Sequence, residues 1–207
     1  MGHDTPSETV RFVAADGVEL EGDLAVPAGA TVGAVVCHPH PRYGGDRRVP
    51  VVDALFRALV DAGVATLRFD FRGVGASSGE FGEGVDERLD VGAALNRLGE
   101  EVEGRRWLVG YSFGADVALS VDGDRVAGWV AVAPPLGVVA HAAPAGADER
   151  LTLVLSPAHD QFRPPASARE VCARWTGTSV EEVAMADHLL GGRLDVVAAR
   201  VVAAVTA

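Results

Sequence analysis

Lysine and isoleucine are absent from the 207-residue chain, so its basic side chains other than histidine are all arginine. Acidic residues outnumber basic ones, which gives a formal net charge of -11. A nucleic acid or an anionic membrane needs a basic face to bind, so neither is expected as a partner. No apolar run approaches membrane-spanning length, and the N-terminus lacks the basic and apolar segments of a signal peptide.

Cysteine is scarce as well. Cys37 ends an apolar run and Cys172 lies in a helix-like segment, so both are expected to be buried free thiols. This use of cysteine favours a cytoplasmic protein. His38 and His40 are close in sequence, but two histidines without a nearby cysteine or carboxylate are weak evidence for a metal site. No metal is therefore predicted.

Strand-like and helix-like segments alternate along most of the chain. The first two strand-like runs flank Asp16-Gly17, which is a strong signal for an antiparallel hairpin. Later strands are predicted at Gly33–His38, Val64–Asp70, Arg105–Tyr111, Gly128–Pro134, Leu151–Ser156 and Val180–Ala186. Helical periodicity covers residues 51–63, 85–99 and 166–175 and lies within 194–205.

This alternation predicts an α/β fold. We expect a mostly parallel sheet with an N-terminal antiparallel hairpin and with helices on both faces. The expected boundaries are a flexible N-terminus over residues 1–8 and a single domain over residues 9–207. Such sheets bind ligands beyond the carboxyl ends of their strands, so functional residues should follow strands directly.

A serine stands between two glycines where a predicted strand ends. Gly110, Tyr111, Ser112, Phe113 and Gly114 fit the G-x-S-x-G nucleophile elbow, which joins a strand to a helix. Glycine relieves crowding around a serine held in a strained turn, and the helix start favours developing negative charge there. The alternative is a core turn that happens to contain a serine. The strand before the motif and the helix-like segment after it favour the catalytic interpretation.

A catalytic serine needs a base and a carboxylate, which in this arrangement follow it along the chain in the order carboxylate, histidine. Asp160 follows one predicted strand and His188 follows the last one. His141 and His159 are rivals for the base, and Asp187 is a rival for the carboxylate. His141 has no strand to orient it, while His159 and Asp187 each adjoin the residue that they would have to contact.

The oxyanion of a tetrahedral intermediate needs fixed hydrogen-bond donors. The backbone N–H of Phe113, directly after the serine, is expected to be one. The second should come from the loop after the first parallel strand, where Pro39 and Pro41 have no N–H. His40 and Arg42 are the nearest remaining donors, and His40 is favoured.

Together these features resemble the α/β-hydrolase superfamily over nearly the whole chain. The chain is most similar to small, lidless bacterial hydrolases related to the dienelactone-hydrolase and serine-aminopeptidase groups. It departs from their pattern at Pro39 and Pro157, where glycine is usual. Asp70 and Arg72 are expected to form a structural pair rather than to bind substrate. The segments that carry the resemblance are His38–Asp46, Arg68–Phe81, Gly110–Gly114, Asp160 and Asp187–Gly192.

The resemblance implies hydrolysis of small soluble carboxylic esters through an acyl-serine, without a cofactor. Ser112, Asp160 and His188 would form the triad. A lid domain is not expected, because only Pro135–Arg150 separates the two strands between which lipase relatives insert one. A peptidase or thioesterase on the same triad is one alternative, and a non-catalytic binding protein of the same fold is another.

Arginines are concentrated near the predicted site. Arg42, Arg47, Arg48 and Arg163 follow strands at the carboxyl edge of the sheet. They would either leave the mouth of the site basic or pair with acidic residues nearby. Arg42 and Tyr43 are predicted to contact the substrate, while the identity of that substrate and the oligomeric state are left open.

Overall fold

A single sheet forms the centre of the molecule. The structure, a computed structural model, describes residues 5–137 and 143–207. Within these ranges the eight strands are β1 (Glu8–Val13), β2 (Glu19–Ala25), β3 (Val32–Cys37), β4 (Ala65–Phe69), β5 (Arg105–Tyr111), β6 (Val126–Val132), β7 (Leu151–Pro157) and β8 (Thr178–Val183). They lie in the order β1-β2-β4-β3-β5-β6-β7-β8. The β1–β2 and β2–β4 pairs are antiparallel, and every pair from β4 to β8 is parallel.

Helices cover both faces of this sheet. They are α1 (Pro50–Asp61), α2 (Glu87–Gly99), α3 (Phe113–Leu119), α4 (Pro165–Cys172) and α5 (Leu194–Val205). Neighbouring residues of β5 point to opposite faces, so Val109 packs with α1 and α5 while Leu108 packs with α2 and α3. The predicted mostly parallel α/β fold with an N-terminal hairpin is confirmed. Among the described residues, none of the helices combines the length and hydrophobicity needed to cross a membrane.

The ends of the elements differ from the prediction by a few residues. The last strand ends at Val183 rather than Ala186, because Met185 has a φ of 55° that turns the chain out of the strand. Strand β1 already begins at Glu8. Residues 1–4 of the predicted flexible N-terminus lie outside the described residues.

Strand β5 meets α3 in a tight turn. Ser112, between them, has a φ of 53° and a ψ of -122°, a conformation that strains a residue with a side chain. A Cβ at Gly110 would lie 2.4 Å from the Cα of Ala115, and one at Gly114 would lie 2.3 Å from the carbonyl oxygen of His38. Glycine at these two positions therefore lets α3 start directly against β5 and against the end of β3.

One buried arginine fastens the loop after β3 to its neighbours. The Arg47 guanidinium pairs with Asp70, at the end of β4, and with Glu21 of β2 at 2.9 Å. Its Nε lies 3.3 Å from Asp23 Oδ1. The Arg47 backbone N–H also donates to Asp70 Oδ1 at 2.8 Å. The loop that approaches Ser112 is thus held to two strands by one residue.

Asp70 and Arg72, expected to form a structural pair, are both bonded within the protein but not to each other. Arg72 instead donates to Asp90 of α2 at 2.7 Å and to Asp16 of the β1–β2 turn at 2.8 Å. Asp70 binds Arg47. Folding brings α2 and the hairpin turn against Arg72, and closeness in sequence gave no sign of these partners.

We expect Arg47→Met to lower the free energy of unfolding by about 3–5 kcal/mol, because it leaves several carboxylates without their buried cation. Urea unfolding followed by circular dichroism measures this loss. Arg57→Met is the matched control, since the exposed Arg57 pairs with Asp53 one helical turn away. Its effect should stay below about 1 kcal/mol, and equal losses in the two variants would contradict the role given to Arg47.

Gly114→Ala should lower the free energy of unfolding by about 1–3 kcal/mol, because the new Cβ has no room beside the Cys37 and His38 carbonyl oxygens. Gly92→Ala is the control. A Cβ at Gly92, within α2, meets nothing within 4 Å, so this change should stabilise the protein by up to about 1 kcal/mol. The same urea titration compares the two. A Gly114→Ala variant as stable as the wild type would mean that α3 can retreat from β3 at little cost.

Candidate active site

The three residues of the predicted triad meet at the carboxyl edge of the sheet. Ser112 follows β5, Asp160 follows β7 and His188 follows β8. The Oγ of Ser112 lies 2.9 Å from His188 Nε2, and His188 Nδ1 lies 2.8 Å from Asp160 Oδ2. All three residues are buried. The folded chain therefore holds a hydrogen-bonded Ser–His–Asp array.

Asp160 is held as a carboxylate. Burial alone would raise its pKa, but hydrogen bonds from His188 and from the backbone N–H groups of Phe162 and Arg163 outweigh burial and lower the pKa. A charged Asp160 accepts a hydrogen bond from His188 Nδ1–H, which leaves the lone pair of Nε2 facing the Ser112 hydroxyl. This is the tautomer that a general base requires.

Two aromatic residues hold His188 in place. The Tyr111 hydroxyl donates to the backbone oxygen of His188 at 3.0 Å. Burial, with a smaller effect from the nearby Asp160, raises the pKa of Tyr111 to about 12, so this donor stays protonated. The Phe162 ring meets the His188 imidazole edge-on at 4.6 Å between centroids. Sequence reasoning assigned Tyr111 only to the elbow and missed Phe162, because neither contact has a signature in the motif.

The rival residues lie in other settings. His159 is exposed, and its backbone N–H donates to Ala186. Asp187 Oδ1 accepts from the backbone N–H of Leu189, 3.1 Å away. His141 lies outside the described residues. Cys37 and Cys172 are buried free thiols, as expected, and burial raises the pKa of each.

Two histidines, His38 and His40, lie in the segment after β3, and they differ in how their rings are bound. His38 is fully buried; its Nδ1–H donates to Pro39 at 2.6 Å, and its Nε2 accepts from the Phe71 N–H at 3.0 Å. Burial lowers the pKa of His38 to about 4, so the ring stays neutral. Both ring nitrogens are thus used by backbone groups. No cluster of three or more metal-ligating side chains occurs in residues 5–137 and 143–207.

The candidate oxyanion donors differ in availability. The N–H of Arg42, the rival second donor, is taken by His40 Nδ1 at 3.2 Å. The N–H groups of His40 and Phe113 have no acceptor among the described residues. Phe113 opens α3 directly after the serine, and His40 lines the same cleft as Ser112. These two groups remain free to bind an oxyanion.

A cleft of about 610 Å³ opens above the Ser–His–Asp array. Its size lies within the usual range of small-molecule sites. Among the described residues, the lining contains no aspartate, glutamate or arginine. The lining residues are Pro39, His40, Tyr43, Gly44, Gly45, Val49, Pro50, Val51, Tyr111, Ser112, Phe113, Pro135, Gln161, Phe162, His188 and Leu189.

The arginines predicted near the mouth contact other protein groups. Tyr43 lines the cleft, whereas Arg42 lies over the Phe81 ring at 4.7 Å, with Glu83 3.9 Å away. Arg47 is buried among its carboxylates. Arg48 lies 3.8 Å from Asp23. Of the two open interpretations, pairing within the protein describes these side chains better than a basic mouth.

The segment 135–137 after β6, which we call the cleft wall, is held by hydrogen bonds from two sides. Asp116 of α3 accepts from the N–H groups of Leu136 and Gly137 at 2.9 and 3.0 Å. The Arg163 guanidinium donates to the carbonyl oxygens of Pro135 and Leu136 at 2.7 and 3.2 Å. Beyond this wall, the described residues before β7 contain a short 3-10 turn (Pro144–Ala147) and no α-helix.

Two solved serine hydrolases resemble this chain over nearly its whole length. A solved alpha-beta serine hydrolase homologue from Coxiella burnetii is 29% identical, with a TM-score of 0.84 over 95% of this chain and 96% of that one. A serine hydrolase without lid from Xanthomonas campestris, XC6422, is 24% identical, with a TM-score of 0.85 over 99% and 95% of the two chains. At that identity the likeness of XC6422 shows the fold alone.

Sequence comparison identifies the family. An uncharacterized protein of Rickettsia prowazekii (strain Madrid E) is 39% identical over 110 residues, which are 51% of this chain and 46% of that protein. The chain thus matches less than half the length of this curated relative. The serine aminopeptidase (S33) family matches residues 43–205, well over half of the chain. The chain therefore belongs to the serine aminopeptidase (S33) family, within the α/β-hydrolase superfamily.

Proposed function

We propose that the chain hydrolyses small, soluble, uncharged carboxylic esters through an acyl-serine intermediate. The observation that carries this proposal is the hydrogen-bonded array of Ser112, His188 and Asp160 at the floor of the cleft. His188 Nε2 takes the proton of Ser112 as its Oγ attacks the ester carbonyl carbon. The N–H groups of Phe113 and His40 stabilise the oxyanion. His188 then protonates the leaving alkoxide, and water hydrolyses the acyl-serine by the same route.

The lining of the cleft supports an ester rather than an aminopeptide substrate. The family is named for serine aminopeptidases, and an aminopeptidase must bind the free ammonium group of its substrate. A buried or half-buried ammonium needs a carboxylate partner. The described lining offers none. An uncharged acyl group instead meets apolar walls such as Val49, Val51 and Phe162.

Ser112→Ala and His188→Ala should each reduce turnover about a millionfold, with little further loss when combined, because the triad acts as a unit. Asp160→Asn should reduce it about ten-thousandfold by favouring the wrong tautomer of His188. Initial rates on p-nitrophenyl butyrate measure these losses. Labelling with a fluorophosphonate, read by intact mass, should add one adduct to the wild type and none to Ser112→Ala.

His159→Asn is the matched control, since His159 is exposed and does not line the cleft. It should keep wild-type turnover. More than a few per cent of activity in Ser112→Ala would rule out Ser112 as the nucleophile. A wild-type protein that takes no label and turns over no ester, thioester or peptide would instead support the non-catalytic binding protein.

A substrate panel tests the acyl preference. We expect p-nitrophenyl acetate and butyrate to give higher kcat/KM than palmitate, because methylenes that find no pocket gain no burial free energy. The butyrate ester should also exceed the hemisuccinate ester of equal carbon number, since no free cation lines the described cleft. Assays at low and high salt measure both comparisons. A hemisuccinate advantage that falls with salt, or a maximum at palmitate, would contradict the proposed substrate class.

A further inference from the structure

His40 is bound into the loop after β3 by both its ring and its backbone. Its Nδ1 accepts from the N–H of Arg42 at 3.2 Å. Its carbonyl oxygen accepts from the N–H groups of Tyr43 and Gly45, each at 3.1 Å. The residue therefore caps the 3-10 turn Pro41–Tyr43, and the imidazole supplies one of its three hydrogen bonds.

The hydrogen bond from Arg42 fixes the protonation state of the ring. A peptide N–H can only donate, so His40 Nδ1 must present a lone pair, and the neutral ring carries its proton on Nε2. A second proton would place an N–H on Nδ1 facing the N–H of Arg42. The hydrogen bond would be lost, and two donors would oppose each other. This anchor exists only while the imidazole is neutral.

The surroundings of the ring favour the neutral form. The rings of Tyr43, Phe81 and Phe113 lie 4.8, 4.9 and 4.9 Å from the His40 ring, between centroids. Burial, followed by the positive charge of Arg42, lowers the pKa of His40, and Glu87 at the start of α2 opposes them. Glu83 lies 3.9 Å from the Arg42 guanidinium and weakens its effect. The ring is thus neutral at neutral pH and takes up a proton only in acid.

The anchored ring and the candidate oxyanion donor belong to the same residue. Pro39 and Pro41 flank His40 and restrict its backbone, so the N–H cannot readily turn independently of the side chain. We propose that the neutral His40 imidazole is a positioning residue, which holds the His40 N–H in the oxyanion hole and releases it when the ring is protonated. This inference rests on the proposed function. It adds a second proton to the acid inactivation expected of a site whose general base must itself be unprotonated to act.

Two substitutions separate the ring's hydrogen bond from its bulk. In His40→Asn, Oδ1 stands the same number of bonds from Cα as Nδ1 and can accept from Arg42 without titrating. His40→Leu fills space without an acceptor. We expect His40→Leu to lose about 10- to 100-fold in kcat with KM little changed, because the donor is misplaced. His40→Asn should recover most of that loss.

The pH dependence of kcat/KM distinguishes a positioning role from a merely structural one, which would leave its shape unchanged. In the wild type, log kcat/KM should fall with a slope steeper than one where His40 titrates. In His40→Asn the slope should stay at one. His159→Asn, which replaces an exposed histidine, should keep the steeper acid slope of the wild-type profile. Near-ultraviolet circular dichroism at each pH shows that the protein is still folded.

A measurement on the unmodified protein guards against variants that fail to fold. In NMR spectra of the wild type, the Arg42 amide should shift with the same midpoint as the His40 ring. An Arg42 amide that does not move while His40 titrates would overturn the inference, as would equal activity in His40→Leu and His40→Asn. An active Ser112→Ala would instead overturn the proposed function, so the two failures are distinguishable.

Discussion

The close approach of α3 to the end of β3 is the constraint on which the site depends. The backbone at Gly114 lies so near the carbonyl oxygens of Cys37 and His38 that no Cβ fits between them. That approach brings the loop after β3 toward Ser112, so that His40 of the loop and Phe113 of α3 line the same cleft as the serine. The strain at Ser112 is maintained because sheet packing fixes β5 and core packing fixes α3. The proposed oxyanion stabilisation needs donors that are placed before the substrate arrives, and backbone packing of this kind would supply that placement.

The features that follow from local sequence rules were predictable. The strand–helix alternation predicted the sheet, and the carboxyl ends of parallel strands share one edge, which is why Ser112, Asp160 and His188 could be selected together. The hydrogen bond from Tyr111 to the His188 backbone could not be predicted, because it joins residues 77 positions apart through geometry that no motif encodes. The partners of Arg72 were missed for the same reason. Ion pairs between distant segments depend on the packed fold, whereas hydrophobic periodicity can be detected from the sequence of each segment alone.

Two of the arginines near the site are used within the protein and do not charge the cleft. An acidic chain with many arginines near its site could have had a strongly charged cleft. Instead, Arg47 is buried against carboxylates, and Arg163 binds backbone oxygens of the cleft wall. The planar guanidinium suits both tasks, since it donates several hydrogen bonds in fixed directions. These two arginines therefore support the walls of the site, and the part of the lining that the structure describes contains no arginine, aspartate or glutamate.

Arg163 and Asp116 connect the cleft wall to the residues of the proposed triad. Arg163 donates its backbone N–H to Asp160 and its side chain to Pro135 and Leu136. Asp116, one turn beyond the serine in α3, binds the same wall through Leu136 and Gly137. Leu136 has a φ of 51°, in the left-handed region that strains a residue with a side chain. The cleft wall, the Asp160 carboxylate and the helix that follows the serine are thus one hydrogen-bonded unit. A site built this way is organised before a substrate arrives.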